Sequence, residues 1–330
     1  MKTYRIEKPK IVIIGGGTGL PVILKALRNE SADITAIVTV ADDGGSSGSL
    51  REMIKVAPPG DLRNVLVSLS DMPKLYEDLF QYRFKKEDEF LADHSVGNLI
   101  IAALSEMRGS TYEAIQILSK IMHVEGHVYP VSEEPLTLHA KFKDGTLLSG
   151  ESKIAKARKP IDHVFVTNSE NNELPKASRK VVNAIEEADM VILGPGSLYT
   201  SILPNLMIGE IGEAICRTAA EVIYVCNIMT QKGETEHFSD AEHIQVIHNH
   251  LGQEFVNTVI VNDQEVPSEY LNASDDADKL DQVTHDQVGL EEEGCSIIST
   301  DLIQLRDGGV YHDGEKVVDE IFKLLKVKRS

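Results

Sequence analysis

Five loops concentrate the glycine, carboxylate, hydroxyl and amide groups that could do chemistry, and most of them follow a short apolar run. The first is Gly15-Gly16-Gly17-Thr18-Gly19. Residues without side chains let backbone N–H groups close on a phosphate, and a following helix adds partial positive charge. Gly15 and Gly17 fit the opening of the dinucleotide fingerprint, but Leu20 stands where its third glycine belongs. A tight strand-to-helix turn would read the same way. The second loop, at 41–48, holds Asp42, Asp43, Ser46 and Ser47. Dinucleotide folds place an acid here on ribose hydroxyls, and the serines are candidate donors to phosphate or sugar. Two adjacent carboxylates also fit Mg²⁺, which favours carboxylates plus substrate phosphate. A solvated turn is the alternative.

In the third loop, 58–64, two prolines stiffen the approach to Asp61, which sits where a helix N-cap would, and Arg63 is either an anion reader or a solvated cation. In the fourth, 93–98, His94 is a candidate acid or base near neutrality or a structural histidine. Asn98 offers an amide to a base or sugar edge, or a local cap. The fifth, 194–201, contains Gly194, Pro195, Gly196, Ser197 and Thr200, a second candidate anion site at a helix start. After a further apolar run, Thr230 and Lys232 are placed to close over a ligand, although Lys232 also reads as an exposed loop lysine.

The elements that position these loops follow from periodicity. Lys10 to Ile14, Ile34 to Val40, Met190 to Leu193, Val222 to Cys226 and Val256 to Val261 read as strands. Uncharged runs of this kind are buried on both faces, as in parallel sheets. Leu20, Ile23, Leu24 and Leu27 form one helical stripe, and Leu62, Val65, Leu66 and Leu69 another. Residues 97–107 are apolar around most of a helix, which places that helix centrally, and 110–123 is amphipathic. Ser239 and Glu242 have capping-box spacing. His248 falls on the apolar stripe that follows and reads as core. The spacing predicts an α/β fold, Rossmann-like, with a mainly parallel sheet and helices on both faces. Residues 136–142 alternate instead, and Asp144-Gly145 marks a hairpin, so about 125–165 is expected to be a small antiparallel excursion within a single domain spanning 1–330. The stretch 267–293 is polar, acidic and expected to be loop-rich.

Such a sheet gathers its ligand at the carboxyl ends of its strands, so these loops converge on one edge and point to a phosphorylated nucleotide. The 330 residues carry a net charge of −19, which makes nucleic acid a poor partner, while backbone amides can still hold one phosphate group. The three cysteines are far apart and form no disulfide or zinc pattern, fitting a reducing, cytoplasmic setting. No secretory signal or membrane span is expected. A basic cluster at Lys153, Lys156, Arg158 and Lys159 reads as a solvated face.

Taken in order, GGGTG, ADDGGSSG, PPGDLRN, DHSVGN, GPGSLYTSILPNL and NIMTQKGET resemble the CofD-like superfamily of 2-phospho-L-lactate transferases. Within it they are most similar to the YvcK-type branch, the gluconeogenesis factors also called GlmR. The resemblance runs from about Lys10 onward and implies a nucleotide-sugar-binding regulator whose ligand is UDP-N-acetylglucosamine or similar. It also implies links to cell-wall precursor supply, cell shape and gluconeogenic growth, and a partner in the aminotransferase that makes glucosamine 6-phosphate. The transferase branch joins 2-phospho-L-lactate to a deazaflavin alcohol with Mg²⁺; its glycine-proline-serine and asparagine-proline segment differs from Gly196-Ser197-Leu198-Tyr199. No catalytic residue is assigned, no cofactor is expected to be required, and Mg²⁺ at Asp42 and Asp43 and NAD at the nucleotide site are the groups considered. A homo-oligomer is expected.

Overall fold

The computed structural model describes residues 8–85, 87, 91–271 and 281–329. The expectation for the first seven residues, and that for 272–280 within the acidic stretch, lie outside them. The strands are β1 (Lys10–Gly15), β2 (Asp33–Val38), β3 (His127–Pro130), β4 (Leu136–Phe142), β5 (Leu147–Ser149), β6 (Ile161–Asn168), β7 (Met190–Leu193), β8 (Glu221–Val225), β9 (Thr258–Asn262), β10 (Ser296–Thr300), β11 (Ile303–Arg306) and β12 (Gly309–His312). Seven of them form one sheet in the order β10-β9-β8-β7-β1-β2-β3. Every pairing in it is parallel.

The uncharged runs account for its centre. Ile11, Ile13, Ile14, Val191, Ile192 and Leu193 have no exposed surface, as strands covered on both faces require. From β1 the chain winds one way to β2 and from β7 the other way to β8. Right-handed crossovers then put the Leu20–Leu27 helix on one face and the Gly209–Arg217 and Asp240–Leu251 helices on the other. Among the described residues, no helix is long and apolar enough to cross a membrane.

The antiparallel excursion is narrower than expected. β3 joins the parallel sheet, and the separate sheet β5-β4-β6 begins at Leu136. On β4 the alternation resolves as predicted, with Leu136, Leu138, Ala140 and Phe142 buried. Among its described residues, the acidic stretch carries two short helices, Ser268–Leu271 and Gln287–Glu292. The helix Val96–Arg108 is not central. It buries Gly97, Asn98, Ile101, Ala102 and Ser105, while Met107 is 77% exposed. Ala102 and Leu99 pack in a small separate cluster with Leu50, Ile54 and Val56. Its apolar composition reflects contact with neighbouring helices rather than enclosure by the sheet.

The capping box is formed, with Ser239 accepting from Glu242 N and Glu242 from Ser239 N. His248, on that helix, is buried as its position on the stripe predicts. Its Nδ1 donates to Glu293 at 2.8 Å, and Nε2 accepts from the N–H groups of Phe255 and Val256, each at 3.3 Å. His248→Leu would fill the volume but leave two buried N–H groups without an acceptor. It is expected to cost about 1–3 kcal/mol, read as a lower urea midpoint at unchanged m-value.

Candidate functional site

Because the connections leave β1 and β7 in opposite directions, their carboxyl ends flank a crevice at the topological switch point. The glycine loop after β1 and the loop after β7 meet there. A Cβ on Gly19 would lie 2.8 Å from the Pro195 carbonyl oxygen, so only glycine permits this approach. The Leu20–Leu27 helix begins at Gly19 with no side chain capping it. A cavity of about 370 Å³ opens between these loops and the one after β8, with Thr18, Gly19, Gly196, Ser197 and Thr230 on its walls. A larger cavity, about 820 Å³, lies at the opposite edge among Lys10, Asp33 and Asp189, away from every predicted loop.

Side chains in the crevice are partly committed to one another. Ser197 Oγ accepts from Thr200 N at 3.2 Å and donates to Glu234 at 2.5 Å. Glu234 is buried, and burial pushes its pKa up. Asn227 Nδ2 holds the Gly196 carbonyl at 2.9 Å. Thr230 donates through both N and Oγ1 to the Asp281 carbonyl, at 2.8 and 3.0 Å, and Lys232 is half-buried on the same segment. What the two glycine loops offer an incoming phosphate is therefore chiefly backbone N–H.

Asp61 is the residue whose role sequence reading missed. It does not cap its helix: Pro59 holds the N-cap position of Gly60–Leu69, without a side-chain cap. Instead its Oδ2 accepts from Gly17 N at 2.8 Å. A Cβ on Gly16 would lie 2.6 Å from that oxygen and 2.4 Å from Thr39 Cγ2, so the loop wraps the carboxylate closely. Burial first, and then the Asp42 charge, push Asp61 up to about 6, against the Gly17 bond and Arg63. Glu151 is pushed up to about 8 by burial and by Asp42, Asp43 and Asp61. Asp42 accepts from Gly44 N, and Asp43 from Ser152 N, each at 2.8 Å. Four carboxylates from three loops thus cluster together, with Asp61 joining them to the glycine loop.

Ser46, Ser47 and Asn98 lie beside them, facing inward. Ser47 accepts from Gly60 N at 3.2 Å. Asn98 Nδ2 donates to Ser46 Oγ at 3.0 Å, leaving the Ser46 hydroxyl to donate to His94 Nδ1 at 2.9 Å. Asn98 Oδ1 accepts from Arg63 Nη1 at 2.8 Å, and Nη1 also bonds Ser95. With 1% of its surface exposed, Asn98 is a cross-link between helices, not a presented amide. Arg63 is likewise buried rather than solvated, and burial lowers its pKa to about 10. Lys159 of the basic cluster pairs with Asp144 at 2.7 Å.

Among the described residues, no three His, Cys, Asp or Glu side chains converge tightly enough to hold a metal ion by themselves. Asp42 and Asp61 do fit the way Mg²⁺ binds with phosphate substrates, through one or two carboxylates plus phosphate oxygens. Burial first and neighbouring carboxylates second disfavour the charged forms of Asp61 and Glu151, a condition that either a proton or a cation would relieve. A carboxyl held near 6 against its ordinary 3.8 contributes stability that is complete below the ordinary value and lost as pH rises through about 6. That difference corresponds to at most about 3 kcal/mol. In Mg²⁺-free buffer Asp61→Asn, which keeps an acceptor for Gly17, is expected to melt higher than the parent at neutral pH. It should also bind a nucleoside diphosphate about tenfold tighter. Thermal melts from acid to neutral pH check the first point, and an unchanged pH slope would count against the buried charge.

A family model described as "2-phospho-L-lactate transferase CofD" matches residues 11–303. A Streptococcus pyogenes protein named "Putative gluconeogenesis factor" is 58% identical over 325 residues, covering 98% of this chain and all of that one. A Listeria monocytogenes "Gluconeogenesis factor" is 46% identical over 318 residues, covering 96% of each chain. Two crystal structures of a Bacillus halodurans protein, one described as a member of the upf0052 family, superpose with TM-scores of 0.92 and 0.90 at 41% and 42% identity. They cover 96% and 95% of this chain and 100% and 99% of their own. With a matching model across most of its length and relatives this similar over nearly all of it, the chain belongs to the CofD family, in its YvcK-type branch.

Proposed function

We propose that this protein is a nucleotide-sugar-binding regulator that takes a UDP-N-acetylglucosamine-like ligand in the crevice between the β1 and β7 loops. The observation that carries the reading is the meeting of two glycine loops at the switch point, with the start of the Leu20–Leu27 helix beside a cavity of about 370 Å³. Backbone N–H groups there would hold the diphosphate, and Asp42, Asp43 and the β8 loop would address the sugar and base. The similarity to proteins named for gluconeogenesis supports a place in growth on gluconeogenic carbon. The branch resemblance extends this to cell-wall precursor supply and cell shape, with the glucosamine 6-phosphate-forming aminotransferase as a partner.

A second reading, an Mg²⁺-dependent transfer on a phosphorylated substrate such as 2-phospho-L-lactate, is favoured by the carboxylate cluster and by the family description. A bound Mg²⁺ at Asp42 and Asp43, with Asp61 beside Asp42, would offset phosphate charge. Calorimetric titration with UDP-N-acetylglucosamine, GDP and 2-phospho-L-lactate, with and without Mg²⁺, followed by chromatography of the recovered ligand, separates the two. Saturable binding of intact UDP-sugar is expected. Absence of UDP-sugar binding, with GDP or phospholactate bound only when Mg²⁺ is present, would reject regulation in favour of transfer.

A further inference from the structure

The β11–β12 hairpin begins at Ile303, the last residue that the family model matches, and runs beyond it. It pairs with no strand of the parallel sheet. Yet it borders the glycine loop on two sides. Tyr311 and His312 line the crevice cavity, and Arg306 lines a separate cavity of about 600 Å³ that also reaches Thr18. The Arg306 guanidinium sits 4.4 Å from the Tyr311 ring centre, which stiffens the hairpin across its strands.

His312 joins this hairpin to the sheet. It is buried, and its Nε2 lies 2.9 Å from the Cys226 carbonyl oxygen just beyond β8. A carbonyl only accepts, so Nε2 carries the proton. Burial lowers the pKa of His312 to about 4, so the ring is neutral near pH 7 and Nδ1 keeps its lone pair. Among the described residues Nδ1 has no hydrogen-bond partner. A second acceptor belongs to the same cavity. Gln231 lines it, and Gln231 Oε1 is buried with no partner. A buried acceptor without a donor is uncommon in folded proteins, and Gln231 Oε1, with the unpartnered His312 Nδ1 on the same cavity, calls for a ligand that brings donors. The cavity is therefore polarised, with backbone N–H groups at Thr18 and Gly19 and lone pairs at the hairpin end.

We propose that His312 and Gln231 form the base-reading end of the nucleotide site. His312 Nδ1 accepts from the ring N3–H of a uracil-type base, and Gln231 Oε1 accepts from a ribose hydroxyl of the nucleoside. This rests on the nucleotide reading above and adds the selection of the base. Cytosine presents a lone pair where uracil presents N3–H, so two acceptors would face each other and repel. Base discrimination by His312 then comes from a residue beyond the stretch that the family model matches, whereas Gln231 lies within it.

The test is calorimetry on the full chain with UDP, CDP and N3-methyl-UDP. The parent protein is expected to bind UDP at least about tenfold tighter than either of the others, as for loss of a buried hydrogen bond. His312→Gln keeps an amide donor for the Cys226 carbonyl but removes the ring lone pair. It should bring UDP to within about twofold of CDP by weakening UDP alone, without lowering the melting temperature. His312→Asn, which returns an acceptor near Nδ1, should recover part of the preference. If the parent binds UDP but treats all three ligands alike, or if His312→Gln keeps the preference, base reading by His312 is overturned while nucleotide binding stands. If the parent binds none of them, both readings fall together.

Discussion

The bond from the Gly17 N–H to the Asp61 carboxylate governs the arrangement of the site. It ties the turn after β1 to the first turn of the Gly60–Leu69 helix, which also packs in the same core as the Leu20–Leu27 helix that follows that turn. The carboxylate accepts a single backbone N–H and lies near Asp42, so its charge is only partly offset. A group in that condition makes the neighbourhood responsive: protonation, a cation or an incoming phosphate each changes the same local balance. The glycine at 16 follows from it, since it wraps the carboxylate, whereas the glycine at 19 answers to the Pro195 carbonyl.

Two regions with different chemistry flank that carboxylate. On one side the phosphate-facing loops present backbone and keep their hydroxyls occupied, Ser197 on Glu234 and Thr230 on the Asp281 carbonyl. On the other, Ser46, His94, Asn98, Ser95 and Arg63 form a buried polar network that fixes three helix starts relative to one another. The Asn98 amide is used twice within this network, through its nitrogen and its oxygen, while Arg63 Nε is buried without a partner among the described residues. Site preorganisation is then a property of side chains that never meet a ligand.

The parts legible in sequence were those set by local pattern. Uncharged runs gave the central strands, alternation gave β4, and the Ser239–Glu242 spacing gave a helix start. The glycine-rich loops were recognisable as strand ends for the same reason. What escaped was set by distant partners. Nothing near Asp61 announces that its acceptor faces Gly17, nothing near Arg63 announces burial against Asn98, and Glu151 reads as an ordinary helix-start acid. The apolar stretch at 97–107 misled because periodicity does not distinguish enclosure by a sheet from contact with other helices. The hairpin at β11–β12 is too short and polar to signal what its last residue does.

The central position of β1 has a consequence for how the protein comes into being. Ile14 pairs with Leu193, so the crevice has only one of its two walls until the chain has been made through β7. A ribosome-bound chain that has released only the glycine loop and β2 has an unpaired strand edge where the ligand pocket will be. Long-range parallel pairing of this kind is slow compared with helix formation. Nucleotide therefore cannot template the early steps of folding; it can only reward a sheet that has already closed.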